Sequence, residues 1–325
     1  MAKLTRLAAA AALISSLLSV QPAWSQAEKY PDRPIKLLVP TSAGSALDVV
    51  SRLVGEKMGS ALGQPIYVEN QPGGAGVIAL RGGARSAPDG YTIMIVTGSL
   101  VTVVPNMKDV DFDTFKDFAP VAGLVRIPQG LIAYPGFAAT SVTELISLAR
   151  QKPGTINYGT GGPGSPQHIA MELLSRSANI EMTHVPYRNV SGSINSVVAG
   201  DIAIMFTAMS AVKALAEEKR VRLLGISTPQ RVAQFQDVPT VAEAGAPGFS
   251  FVDWCAFLAP AGTPASIVEK LHAATISALA DTGVRARLMG LGFEIDGSSP
   301  PQLGEMLRYD FTKMRDLVRE ANIRE

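Results

Sequence analysis

Short apolar runs, each followed by a stretch with helical spacing, recur along this chain, and the series starts over after about residue 128. Such alternation confines a sequence to α/β units around mostly parallel sheets. In the first series Ile35 to Val39 reads as a strand and Leu47 to Leu62 as a helix that stops at Gly63. Ile66 to Val68 and Tyr91 to Val96 read as further strands, the latter introduced by the turn residues Pro88, Asp89 and Gly90. The second series has strands at Leu131 to Tyr134, Ile156 to Tyr158, Met182 to Pro186, Ile202 to Phe206 and Val221 to Ser227. Between them lie helices at Ser141 to Gln151, Gln167 to Ser177, Ile194 to Ala199 and Val212 to Glu218. Ser141 with Glu144 forms a capping box, and Pro153 with Gly154 closes that helix.

The C-terminal part opens with a strand from Phe249 to Pro260. A helix follows with Thr263 as cap and Pro264 at its first position, then a last helix begun by Ser299 with Gln302 three residues on. These helices need a sheet to cover, and the first series supplies one. The chain is therefore expected to cross back near residue 250. That gives a discontinuous first lobe (28–128 plus 252–325), a continuous second lobe (129–251) and two linking strands.

Length agrees with two lobes once the start of the chain is set aside. Lys3 and Arg6 precede an apolar run of fourteen residues, Leu7 to Val20, which ends near Pro22 and the small residues Ala23, Ser25 and Ala27. That is the layout of a secretory signal peptide over residues 1–27, and the run is shorter than the ~20 residues that span a bilayer. Cleavage is expected after Ala27, with a cut after Ser25 as the alternative. The remaining 298 residues exceed what a single core usually organises. The sole cysteine, Cys255, excludes an internal disulfide, and no lipid-accepting cysteine stands beside the cleavage region. In its apolar surroundings Cys255 reads as buried filler. Without the leader, 27 basic groups face 28 acidic ones, a balance that argues against a nucleic-acid partner.

Two loops stand out, each joining a strand end to a helix start and built from small, hydroxylated residues. They are Thr41-Ser42-Ala43-Gly44-Ser45-Ala46 and Gly159-Thr160-Gly161-Gly162-Pro163-Gly164-Ser165. A helix N-terminus carries unpaired N–H groups and a partial positive charge of about half a unit, so it receives an anion without a basic side chain. In open α/β sheets such loops line the crevice beyond the strand ends. Tight chain reversal and capping explain either loop alone; one per lobe points to a shared cleft. Asp48 and His168 sit in the first helical turns, Asp48 as a dipole-stabilising acid and His168 as a hydrogen-bonded structural residue. Arg188, after Tyr187 at a strand end, either aims a guanidinium at the cleft or pairs with a surface acid. Trp254 is either hinge packing or a cleft wall.

Gly159, Gly161 and Gly164 also fit a dinucleotide fingerprint, but the acid expected at the end of the next strand is missing, since Glu181 begins that strand. Gly-x-Ser-x-Gly, His-Glu-x-x-His and P-loop signatures are absent, and the histidines His168, His184 and His272 lie far apart in sequence. No catalytic residue, metal site or cofactor is therefore assigned.

The residues resemble the periplasmic receptors of tripartite tricarboxylate transporters, the Bug-type family. The likeness runs through Tyr30-Pro31-Asp32-Arg33-Pro34-Ile35, Val39-Pro40 with the loop into Asp48-Val49-Val50, Glu69-Asn70-Gln71-Pro72-Gly73-Gly74 and Ala87-Pro88-Asp89-Gly90-Tyr91-Thr92. It continues through Asn157-Tyr158-Gly159, His184-Val185-Pro186-Tyr187, Asp237 to Gly245 and Ala259 to Pro264. The resemblance implies a type II, Venus-flytrap fold of two α/β lobes joined by two strands, with a ligand carboxylate held by the two loops, partly through water. Thr41, Ser42, Ala43, Gly44, Ser45, Ala46 and Leu47, with Thr97 and Ser99, should then face Thr160, Gly161, Gly164, Ser165 and His168 across the ligand, with Thr207 nearby; Arg188 joins the candidates only by its place at the strand end.

By the same resemblance the protein would be a monomeric receptor for a small carboxylic acid, docking on a two-component inner-membrane transporter. A sensor domain as partner, or an exported enzyme, are the alternatives. The chain departs from the family pattern at Thr41, where an aromatic residue is common, at Ser45-Ala46-Leu47, and at Thr207, where an acid or amide is common. Leu47 and Thr207 suggest a less polar ligand end than citrate or an amino acid would present.

Overall fold

The structure, a computed structural model, describes residues 30–324, so the expected leader lies outside the described residues. Along the chain the first elements are β1 (Ile35–Val39), α1 (Ala46–Leu62), β2 (Ile66–Asn70), α2 (Val77–Ala84) and β3 (Thr92–Thr97), then the short helices α3 (Gly98–Thr102) and α4 (Val104–Met107). A long strand, β4 (Phe118–Ala133), leads into α5 (Val142–Gln151), β5 (Asn157–Thr160), α6 (Pro166–Ala178), β6 (Thr183–Pro186), α7 (Val190–Ala199), β7 (Ile204–Ala208), α8 (Met209–Glu217) and β8 (Arg222–Ile226). The chain closes with β9 (Val252–Pro260), α9 (Ala265–Ala280), α10 (Thr282–Gly290), β10 (Glu294–Ile295) and α11 (Pro300–Glu320).

The strands hydrogen-bond in the order β2-β1-β3-β9-β4-β7-β5-β6. β4 belongs to both halves of that order. Its residues Phe118 to Pro128 pair antiparallel with β9, while Gln129 to Ala133 pair antiparallel with β7. β8 pairs with the same end of β4, and β10 with Val125 and Arg126. On the first side β1 lies parallel to β2 and β3; on the second, β5 lies parallel to β6 and β7. From Val121 onward every residue of β4 is buried except Arg126, as expected for a strand covered on both faces. The chain returns beside Gln129: Ser227 N donates to Gln129 O (2.8 Å), Gln129 N to Ser227 Oγ (3.0 Å) and Phe251 N to Ser227 O (2.9 Å).

Each half has its own core. On one face of the first sheet Val50, Val54 and Met58 of α1 meet Ile93, Phe257 and Leu271; on the other, Leu80, Met94, Leu303 and Leu307 pack around Trp254. In the second half Leu131, Ile146, Tyr158, Leu174 and Phe206 form one cluster and Ile132, Val197, Met205 and Val212 another. Fully burying each such side chain contributes roughly 1.5–3 kcal/mol.

Local chemistry differs from expectation in three places. α9 takes Pro264 rather than Thr263 as its N-cap, because the Thr263 hydroxyl donates to Pro260 O (2.7 Å) and is not turned toward the helix. At α5 the Ser141 hydroxyl accepts from Glu144 N (3.2 Å), but Glu144 turns to Thr140 N (2.6 Å) and Thr140 Oγ1 (2.8 Å), so the box is not reciprocal. The strand expected at Leu131 is the tail of β4, whose earlier part carries irregular pairing at Pro120/Ala122 and Gly123/Val125.

Candidate functional site

β1 and β5 each end in a turn that delivers the chain to the N-terminus of a helix, α1 and α6 respectively. The two turns face each other across a cavity of about 390 Å³. Thr41, Ser42, Leu47, Thr97 and Ser99 line it from the first half, and Gly161, Gly164 and Ser165 from the second. Pro40, Pro72, Gly73, Gly76, Leu100, Val104, Pro163 and Pro166 complete the wall. A larger groove, about 750 Å³, runs beside Arg52, Glu56 and Tyr67 at edge strand β2 and reaches neither turn of the cleft. Size alone would favour the groove, but only the cleft gathers two helix N-termini, so the cleft is the candidate site.

In the first turn Gly44 sits at φ +80°, a left-handed conformation open to glycine at little cost. Ser45 is the N-cap, and its hydroxyl accepts from Asp48 N (3.2 Å). The Asp48 carboxylate turns back and accepts from Gly44 N (2.9 Å), Asn70 Nδ2 (2.9 Å) and Arg52 Nε (3.0 Å). Asp48 is buried, and the Arg52 guanidinium overcomes the effect of burial to hold its carboxyl down at about 2. Asn70 also donates to Thr41 O (3.0 Å), tying β2 to the loop.

The second turn repeats this backbone with other side chains. Gly164 has φ +71°, Ser165 is the N-cap, and the Ser165 hydroxyl accepts from His168 N (3.4 Å). His168 Nδ1 turns back to accept from Gly164 N (3.2 Å). Pro166 at the first helical position leaves α6 one N–H fewer than α1 offers. Behind the loop Thr160 Oγ1 accepts from Gly162 N (3.1 Å) and lies 2.7 Å from His184 Nε2. The His168 and His184 rings stack at 4.0 Å between centroids.

The remaining expected residues stand outside the cleft wall. Ala43, Gly44, Ser45 and Ala46 form the body of the first turn, and Thr160 is fully buried under the second. His168 is buried, Thr207 is buried on β7 opposite Gly130, and Arg188 is exposed. Trp254 packs against Gly98 and donates from Nε1 to Asp310 Oδ2 (2.7 Å), so it braces α11. Cys255 is wholly buried in β9.

Sequence reasoning missed Asp253. It lies buried behind Ser99, whose N and Oγ each approach an Asp253 oxygen at 3.3 Å. Burial raises its carboxyl to about 6. Among the described residues the wall of the cleft carries no charged side chain, and the group directly behind its Ser99 floor is an acid. Among the described residues no group of His, Cys, Asp or Glu is placed to hold a metal ion, and no helix is long and apolar enough to cross a membrane.

Two α/β lobes joined through β4 and the crossing at Ser227 and Phe251, with one helix-starting loop from each facing a common cleft, make this a two-lobed binding protein of the type II, Venus-flytrap kind. The chain belongs to the tripartite tricarboxylate transporter receptor family, whose profile matches residues 50–323. It is 34% identical over 297 residues to a UPF0065 protein from the tcbD-tcbE intergenic region of Pseudomonas sp. strain P51, covering 91% of this chain and 88% of that one. A structure of an R. palustris protein with adipate superposes with a TM-score of 0.83 at 30% identity, covering 91% of this chain and 99% of that one. MatC from Rhodopseudomonas palustris with bound malate gives 0.79 at 31% identity over 89% of this chain and 100% of that one. The family is one of substrate-binding receptors and not of enzymes.

Proposed function

We propose that this protein is a periplasmic receptor that captures a small carboxylate-bearing solute between its two loops and hands it, chemically unchanged, to the membrane subunits of a tripartite transporter. One observation carries the proposal: two helix N-termini from opposite lobes point into one cleft whose wall has no charged side chain. Such a seat suits one carboxylate, bound by backbone N–H groups and helix dipoles. Leu47, Leu100 and Val104, together with Asp253 behind the floor, favour a ligand body that is weakly polar and not a second anion. Adipate and malate in the solved relatives agree with a carboxylate ligand.

The leader over residues 1–27 would deliver the chain to the periplasm as a soluble monomer. Closure would turn on the two crossings, separating lobe 28–128 plus 252–325 from lobe 129–251. Ligand stabilises the closed form only through contacts made in that form. Calorimetric titration of refolded protein with benzoate, adipate, malate, citrate and aspartate tests the proposal, with mass analysis of the recovered acid. Benzoate should bind at least about tenfold more tightly than citrate or aspartate, and be recovered intact. Failure of every acid to bind, or conversion of one, would overturn the receptor; tightest binding by citrate would overturn the weakly polar ligand end.

A further inference from the structure

Two histidines sixteen residues apart in sequence meet directly beneath the second loop. His168, at the third position of α6, and His184, on β6, stack at 4.0 Å with 15° between their planes, and Tyr158 of β5 stacks on His184 at 5.1 Å. The Gly164 N–H pointing at His168 Nδ1 makes that nitrogen an acceptor and puts the ring proton on Nε2, 3.6 Å from Glu172 Oε1. Glu172 also accepts from Tyr158 Oη (2.7 Å). On the other ring, Thr160 Oγ1 lies 2.7 Å from His184 Nε2 and 3.3 Å from Gly162 O, while accepting from Gly162 N. The shorter contact assigns the hydroxyl proton to His184, whose Nε2 is then the acceptor. Each imidazole therefore supplies an acceptor that ends at a loop N–H, His168 at Gly164 directly and His184 at Gly162 through Thr160.

We infer that His168 and His184 are positioning residues that hold the second loop in its anion-receiving shape, and that they do so only while both rings are neutral. The inference rests on the carboxylate seat proposed above. A proton on His168 Nδ1 would set a donor against the Gly164 N–H. One on His184 Nε2 would pull the Thr160 hydroxyl away from its present role, and charge on both rings would place two cations 4.0 Å apart. The titratable neighbours are Tyr158 on β5 and Glu172 on α6; α11 meets α6 through apolar residues such as Met314 and Leu317, and farther out through the exposed pair Arg176–Glu320. Burial, with His168 beside it, holds the His184 ring down at about 4, whereas Glu172 is held below its ordinary range by His168 and Tyr158 despite burial. Burial thus keeps His184 neutral at ordinary pH even with the Glu172 carboxylate nearby.

The test has a ligand-free arm and a binding arm. In unliganded full-length mature protein, hydrogen exchange at the Gly164 amide should quicken about tenfold in His168→Leu but not in His168→Gln, whose amide oxygen can still accept. His184→Phe keeps the stack and should loosen Gly162 similarly. In the binding arm, benzoate affinity at neutral pH should fall about tenfold in His184→Phe and stay within about threefold in His168→Gln. The ratio of wild-type to His168→Gln/His184→Gln affinity should decline as pH falls from about 7 to about 4, a ratio from which protonation of benzoate cancels. Unchanged amide exchange in both apolar variants, or a flat ratio, would overturn the inference. If benzoate does not bind wild type at all, the carboxylate seat fails and the exchange arm alone decides the positioning role.

Discussion

The segments Gly44-Ser45-Ala46-Leu47-Asp48 and Gly164-Ser165-Pro166-Gln167-His168 share one backbone: a left-handed glycine, a serine N-cap bonded three residues on, and a side chain returning to the glycine N–H. Their side-chain chemistry differs. In the first lobe the returning group is a carboxylate, balanced by Arg52 and steadied by Asn70. In the second it is a neutral imidazole resting on another imidazole. What the two share is an acceptor at a fixed place, so the shape of the loop, and not any one residue type, sets the N–H groups. What they do not share is the sense of their response to a proton: one would remove the charge of the Asp48 carboxylate, held at about 2, and would add a charge to the imidazole.

The sharpest break in the equivalence should come from the glycines. A side chain at Gly164 would meet Met107 Sδ at 2.9 Å as well as bearing left-handed strain, whereas at Gly44 nothing lies within 4 Å. Gly164→Val should lower benzoate affinity by about a hundredfold or more in calorimetry, while Gly44→Val, with strain of about 1–2 kcal/mol alone, should lower it far less. Equal losses would mean that the two turns are strained and crowded alike. Next in size is Asp48→Asn, expected to lower stability in urea by about 2 kcal/mol through weakened bonds to Arg52. Because the Asp48 carboxyl falls from its ordinary 3.8 to about 2 in the fold, its stabilisation is complete above about pH 4 and is lost as pH drops toward 2. The variant should lack that slope; an unaltered slope would remove Asp48 from its cause. The smallest effect concerns the missing donor: Pro166→Ala restores an N–H to α6 and should strengthen binding by up to about threefold, with a loss of affinity showing that proline's rigidity matters more.

Much of this was legible from residues whose roles are local. β1 has the expected bounds, Ile35–Val39, because a strand buried on both sides is written as a short apolar run, interrupted here only by the half-buried Lys36. The two loops were legible because a turn rich in glycine and serine precedes a helix in each half, although capping alone would explain either one. Most of β4 was not, because Pro120, Gly123 and Pro128 interrupt the pattern that betrays a strand. α2 was hidden by Gly82 and Gly83 within its eight residues. The histidine pair was out of reach: His168 and His184 meet only because β5 and β6 align Tyr158 with His184 while α6 starts above them. Likewise Gly73 and Gly76 join the cleft wall only because β2 runs beside β1.

β4 passes from one sheet to the other without a break at Gln129. Two lobes tied by floppy linkers would wander independently and would have to be ordered afresh at each capture. Lobes that share a strand cannot, for any rotation between them must be absorbed as extra twist in a backbone hydrogen-bonded on both sides. Any hinge motion of the lobes would in that sense be elastic, and a solute too short to reach both loops would have to work against it.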